Sequence, residues 1–245
     1  MEKRGQVTTF VLIGILFIVI IIGVVITKTN VLDRLKSSAT EPAVLSPQVV
    51  PIRNYIQDCL DDVSVTGLRL LGLQGGLLDP QRYIETEFSR VSYGYYERKT
   101  LPSLRSIVRE LKTFIELSLP LCFDENSFPG FNIEQEKVKS NVKIVDNKVE
   151  IDAKYPITAE KSWVGYKLDV EYSTTLDFDF KNIHSTAEEI VNEIVKAPDF
   201  IHISSLAGKD YDVTILTFDE EQVYSITDEN GLDDIPYTFR FGVRI

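Results

Sequence analysis

The sequence predicts an α+β protein: an N-terminal transmembrane helix, then an exterior domain of two or three helices and a mostly antiparallel sheet. Three observations predict it. Phe10 to Ile26 is an apolar run broken only by Gly14 and Gly23. From Val49 to Leu73 and again from Pro102 to about Leu119 apolar residues recur at spacings of three and four, the period of a helix with one buried face. From Phe131 the period falls to two, the period of a strand. Helices followed by strands, without strict alternation, is the order of an α+β domain.

The apolar run is the first element. With Val7, Thr8 and Thr9 it gives about 20 residues of low charge, or roughly 30 Å of helix, the thickness of a bilayer core. No charged side chain lies between Arg4 and Lys28. Its many β-branched residues are poor helix formers in water, but in lipid the backbone must satisfy its own hydrogen bonds and helix wins. The run exceeds the apolar core of a secretory signal, and no A-x-A pattern follows it, so a retained anchor is expected. Lys3 and Arg4 precede it and Lys28, Arg34 and Lys36 follow it, so positive-inside counting does not orient it.

Lys3-Arg4-Gly5-Gln6-Val7-Thr8, running directly into the apolar helix, resembles the class III signal of archaeal type IV pilin-like proteins. The resemblance implies cleavage by a prepilin-type peptidase between Gly5 and Gln6, with the helix left attached. It also implies a cytoplasmic N-terminus and an extracellular remainder. Gln6 and Thr8 match the first and third mature positions. Phe10 occupies the fifth, where pilins usually carry a Glu that pairs with a neighbour's terminal amine. That departure weighs against filament polymerisation rather than against membrane location. The resemblance covers about 25 residues and is silent on the domain beyond.

Composition bounds the rest. The chain has 245 residues, 44% hydrophobic and 26% charged, which is globular composition. Its 26 basic and 37 acidic side chains give −11, which repels phosphate backbones and argues against nucleic acid as a partner. Without residues 1–30 the balance is 23 against 36, or −13, which suits a hydrated exterior domain. Two Cys and two His exclude a disulfide-dense scaffold, a four-Cys zinc site and a multi-His metal centre. The expected division is an N-terminal signal and helix over 1–36, a linker over 37–48 and an exterior domain over 49–245. Helices fill about 49–123 of that domain and the sheet about 131–245.

Within it, Ile52, Tyr55, Ile56, Cys59, Leu60 and Val63 stripe a helix from Val49 to Leu73, with Pro51 suited to its first turn. Gly72 and Gly75-Gly76 end it. Tyr83 to Tyr96 suggests a hairpin. Pro102-Ser103 opens a second helix through Ile107, Leu111 and Ile115 to about Leu119, where Pro120 stops it. Val142-Ile144 and Val149-Ile151 flank a turn at Asp146-Asn147. Tyr166 to Tyr172 reads as one strand, which Leu176 to Phe180 extends. Ser185-Thr186-Ala187-Glu188 reads as a capping box for a helix through Ile190 and Ile194, ended by Ala197-Pro198. Val213–Phe218 and Val223–Ile226 are strands, Asn230-Gly231 is the turn, and the last strand from Pro236 carries Tyr237, Phe239 and Phe241 on one face.

Few residues suggest chemistry. Cys59 and Cys122 form a disulfide if the first two helices pack together, or remain two buried thiols. Tyr93, Tyr95 and Tyr96, followed by Glu97-Arg98-Lys99, are either a stacking surface for a peptide or glycan or the packing of a hairpin. Trp163-Val164-Gly165-Tyr166 carries the same ambiguity. Asp58, Asp61 and Asp62 read as a solvated face. Asp228 to Asp234 lacks the spacing of an EF-hand. Gly72 to Gly76 lacks the Lys and the preceding strand of a phosphate loop. His184 and His202 share no ligand spacing. No catalytic motif, cofactor site or metal set stands out. The expectation is a non-catalytic, membrane-anchored surface protein that acts by tethering an exterior interaction domain. Its expected partners are the lipid bilayer, a prepilin-type peptidase, and other proteins or further copies of itself. The alternatives are an anchored peptide- or glycan-binding module and an anchored exterior enzyme.

Overall fold

The computed structural model describes residues 46–87, 89–197, 211–233 and 235–244, which belong to one compact unit beginning at Ser46. The apolar run over 10–26, its continuation to Lys36, most of the linker and the Gly5–Gln6 junction lie outside these residues. Among the described residues no helix is long and apolar enough to cross a membrane.

The described residues are α+β, with three α-helices and mostly antiparallel sheets. Helix α1 spans Val50–Leu73, with Pro51 in its first turn and Ile52, Ile56, Leu60, Leu68 and Leu71 buried along one stripe. Its end is closed by the Gln74 N–H donating to Leu70 O at 3.0 Å and the Gly76 N–H donating to Leu71 O at 2.6 Å. Helix α2 spans Leu104–Cys122 and is capped by Ser103, whose hydroxyl accepts from the Ser106 N–H. It runs past the expected stop, with Pro120 inside its last turn. There the missing N–H costs a single intrahelical bond, and buried Leu119 holds the turn in place. The two helices are antiparallel: Gly67 of α1 lies against Leu111 and Phe114, and Gly76, just past α1, lies against Ile107.

Helix α3 spans Phe180–Lys196. It starts earlier than Ser185 because Asp179 is its cap, accepting from the Asn182 N–H at 3.0 Å. The expected capping box therefore sits inside the helix, and Thr186 donates back to Asn182 O at 3.0 Å. Phe180 and Ile183 supply the apolar stripe of the extra turn, so Phe180 opens a helix rather than extending a strand.

Six strands form the main sheet: β1 Tyr83–Glu85, β2 Arg90–Tyr96, β3 Arg98–Lys99, β10 Asp212–Phe218, β11 Glu221–Leu232 and β12 Ile235–Arg244. The order is β1-β2-β12-β11-β10, with β3 beside β2. Only β2 and β12 pair in parallel, through Gly242 and Tyr93. On the helix-covered face Tyr237, Phe239 and Phe241 are buried, as their alternation predicts. Phe180 packs edge-on against Tyr237 and Phe239. The Tyr237 hydroxyl donates to Leu68 O of α1 at 3.1 Å. Ile84, Val91, Tyr93 and Val223 make a smaller cluster on the opposite face.

The turn between β11 and β12 is not at Asn230-Gly231. Strand β11 continues through them as a register shift between Asp228 and Leu232, and Leu232 pairs with Ile235. Gly231 is required in that irregular stretch: its φ is +60°, and a β-carbon would lie against the Ile235 carbonyl.

The remaining strands are β4 Asn132–Gln135, β5 Lys139–Val145, β6 Lys148–Lys154, β7 Ile157–Lys161, β8 Val164–Leu168 and β9 Glu171–Leu176. They form two three-stranded sheets, β4-β7-β8 and β5-β6-β9. These are the two halves of one antiparallel meander, each arm of which bends: at Glu136–Val138, at Tyr155-Pro156 and at Asp169-Val170. The single strand expected from Tyr166 to Tyr172 is thus β8 and β9, split at the third bend. The hairpin at Asp146-Asn147 is as expected, with Val142 facing Ile151 and Ile144 facing Val149. The β5-β6-β9 half is joined to the helices by the Ser140 N–H donating to the Glu116 carboxylate at 2.9 Å and by Gln57 donating to Ser173 O at 3.1 Å.

Gly72 sets how closely α1 can approach β12. A β-carbon there would lie 2.5 Å from the Tyr237 hydroxyl and 2.6 Å from the Thr238 carbonyl. Ala would gain about 1 kcal/mol of helix propensity, but overpacking against backbone costs typically 1–3 kcal/mol. Gly72→Ala is therefore expected to lower the urea midpoint of the detergent-solubilised chain. An unchanged or raised midpoint would show that the helix can shift freely.

Candidate functional site

The structure pairs the two cysteines. Cys59, on the buried face of α1, and Cys122, the last residue of α2, form a disulfide with their Cα atoms 5.9 Å apart. Closing 63 residues of chain stabilises by about 4 kcal/mol in the chain-entropy account. The bond is packed beside an aromatic group, in which Tyr55 meets Phe123 and Phe128 edge-on. It clamps the two helices together at the end of α2.

The three tyrosines have three environments on β2. Tyr93 is 7% exposed. Its hydroxyl donates to the Glu221 carboxylate, and burial together with that carboxylate pushes its pKa well above the usual range. Tyr95 and Tyr96 are half-buried. Tyr96 packs edge-on against Tyr93 and has the guanidinium groups of Arg82 at 5.1 Å and Arg244 at 5.5 Å from its ring centre. Arg244 also pairs with Glu220 at 3.7 Å. Tyr93 and Tyr96 are thus engaged within the fold, and Tyr95 is the member with no ring or cation partner of this kind among the described residues.

A second arrangement was not foreseen from the sequence. Lys137, Lys139, Lys154 and Lys167 converge with Glu136 and Asp169 on a cleft of about 640 Å³ at the bend of the meander. Lys154 pairs with Asp169 at 3.0 Å, and the balance around the cleft is positive in a chain of net charge −11. Such a cleft can hold an anionic group. Its lysines are spread over thirty residues, and only the bend gathers them.

The far end of the meander carries the most exposed large hydrophobic side chain among the described residues. Lys161 pairs with Val164 across a two-residue turn, Ser162-Trp163, with φ of +52° and +67°. Turns of this kind prefer Asn-Gly, because a bulky residue at positive φ costs on the order of 1–3 kcal/mol. Trp163 is 94% exposed. Beside it Lys161 Nζ sits 4.7 Å from the centre of the Phe131 ring. In the same half of the meander Tyr166 donates to Gln48 Oε1 at 3.1 Å, just ahead of α1.

The other candidates are structural. Asp61 accepts from Gln57 one turn away. Asp228 accepts from the Asn230 N–H at 3.0 Å. No group of three or more metal-ligating side chains occurs among the described residues. Gly75 and Gly76, both at positive φ, turn the chain after α1. His184 is buried, 2.7 Å from Pro102 O through Nε2 and stacked on Phe180. His202 lies outside the described residues. Comparison of the chain with protein-family models, with characterised proteins and with solved structures finds no match.

Burial holds the His184 pKa below its usual value of 6.5, against the opposing pull of Pro102 O and Glu188. The folded state then holds His184 neutral while the unfolded chain protonates it below about pH 6.5. Stability contributed by the neutral imidazole is present above that pH and lost as pH falls through it. Between pH 7 and 5 the denaturation midpoint is expected to drop, and to drop less in His184→Gln. Equal slopes in the two proteins would contradict this.

Proposed function

We propose that the chain is a single-pass membrane-anchored, non-catalytic surface protein that tethers an exterior interaction domain, with its N-terminus in the cytoplasm. The observation that carries the reading is the apolar run Phe10–Ile26, preceded by a pilin-like signal and followed by the disulfide-closed unit from Ser46. With Val7, Thr8 and Thr9 the low-charge stretch is about 20 residues, long enough as a helix to span a bilayer core. The Cys59–Cys122 bond is supported by, and supports, an oxidising compartment for the unit. Phe10, in place of the pilin Glu, favours a tethered subunit over a filament built by that pairing.

The positive cleft of the meander suits an acidic partner, and it is a second candidate besides the Tyr93–Tyr96 region, the candidate surface for a peptide or glycan. The mechanism is mass action: an anchor confines the domain to a surface and raises its effective concentration for anything else held there.

Intact mass and N-terminal sequencing of the protein from native membranes test the anchor and its processing together. A membrane-bound chain that begins at Gln6 is expected. A chain recovered from the soluble fraction, or one shortened beyond Ile26, would overturn the tether.

A further inference from the structure

We propose that the Ser162-Trp163 hairpin tip is a membrane-surface contact, with the Trp163 indole seated at the boundary between lipid headgroups and acyl chains. The proposal rests on the tethered reading and adds a second point of attachment to it.

Four observations converge. Trp163 is almost wholly exposed at the tip, and neighbouring Val164 is 49% exposed. A lone large apolar side chain in water contributes nothing to the core, yet this one occupies a turn position at φ +67° that glycine fills at less cost. A bulky residue in a strained, solvent-exposed position points to a use outside the fold. The indole is an apolar body with a single N–H donor, the chemistry that favours a bilayer interface over either water or hydrocarbon.

The place of the hairpin selects lipid over other occupants. Tyr166, three residues from Trp163, holds Gln48, so the chain enters the unit beside this half of the meander. About 22 residue steps separate Ile26 from Gln48, at most roughly 80 Å of fully extended chain. A linker of that length lets the hairpin tip reach the bilayer. Lys161 stands beside the tip, and the lysines of the positive cleft lie on the same meander. Glu160 also lines the tip, so its local charge is balanced, and the indole rather than net charge selects the bilayer interface.

Trp163 is the only tryptophan in the sequence, so its fluorescence reports on this contact alone. The full chain is reconstituted into vesicles of mixed zwitterionic and anionic phospholipid, and flotation confirms that it is embedded. Emission is then quenched from the lipid side with doxyl-labelled acyl chains and from the water side with iodide. The expected result is a blue-shifted emission that shallow doxyl labels reduce about two-fold and iodide reduces little.

Emission that iodide quenches freely and doxyl lipid leaves unchanged overturns the contact while leaving the tether standing. Shielding from both quenchers overturns it in favour of a protein contact. A chain that fails to float defeats the tether, and this proposal with it. Trp163→Gly supplies a further measurement: its urea midpoint in detergent is expected to be equal to or above that of the parent. A clear fall would mean that the indole holds the fold together and would overturn the proposal.

Discussion

Helix α1 lies so close to strand β12 that Gly72 has no room for a β-carbon, and every layer of the unit is arranged around that contact. The Tyr237 hydroxyl, buried in the interface, finds its acceptor in the Leu68 carbonyl only because helix and strand approach this far. On its other sides α1 is tied to α2 by the Cys59–Cys122 bond and to β9 by Gln57. One helix thus touches the second helix, the main sheet and the meander. Much of its length is apolar on the faces that do so, and its single stripe in the sequence understates how many partners it has. Helix α3 completes the cover of the sheet, with Phe180 and His184 packed on Phe239.

Local patterns were legible in the sequence where one face of an element is buried and the other is wet. The stripe of α1, the hairpin at Asp146-Asn147 and the Tyr237-Phe239-Phe241 alternation all follow from that rule. The misplaced boundaries have a common cause: two signals competed and tertiary packing chose between them. Asp179 and Ser185 are both acceptable caps, and the burial of Phe180 and Ile183 selects the earlier one. Asn230-Gly231 is a strong turn signal, but pairing of Leu232 with Ile235 moves the reversal onward and leaves Gly231 in the irregular strand. Pro120 falls in the last helical turn, where its missing N–H matters least. Bends in strands leave almost no sequence trace, so the division of the meander could not be read.

The candidate sites divide in the same way. Cys59 and Cys122 were readable as a pair because one lies on the inner stripe of the first helix and the other was expected just past the end of the second. Tyr93, Tyr95 and Tyr96 stood out by composition, yet Arg82, Arg244 and Glu221, which engage two of them, come from distant segments. The lysine cleft depends on a bend and was invisible. Trp163 was noticed as one of a local aromatic group, but its exposure depends on its being the tip of a hairpin. What emerges is a unit whose distinctive chemistry lies on the meander. That location is near the residues through which the chain enters from its apolar run.

The central claim is that the unit from Ser46 onward stands outside the cell on an anchor. Mild protease treatment of intact cells, followed by detection of N-terminal and C-terminal tags on the same chain, tests it most directly. The account predicts that the C-terminal tag is lost from intact cells while the N-terminal tag survives until lysis and stays with the membrane. Survival of the C-terminal tag until the cells are lysed, with equal digestion of both tags afterwards, would contradict it.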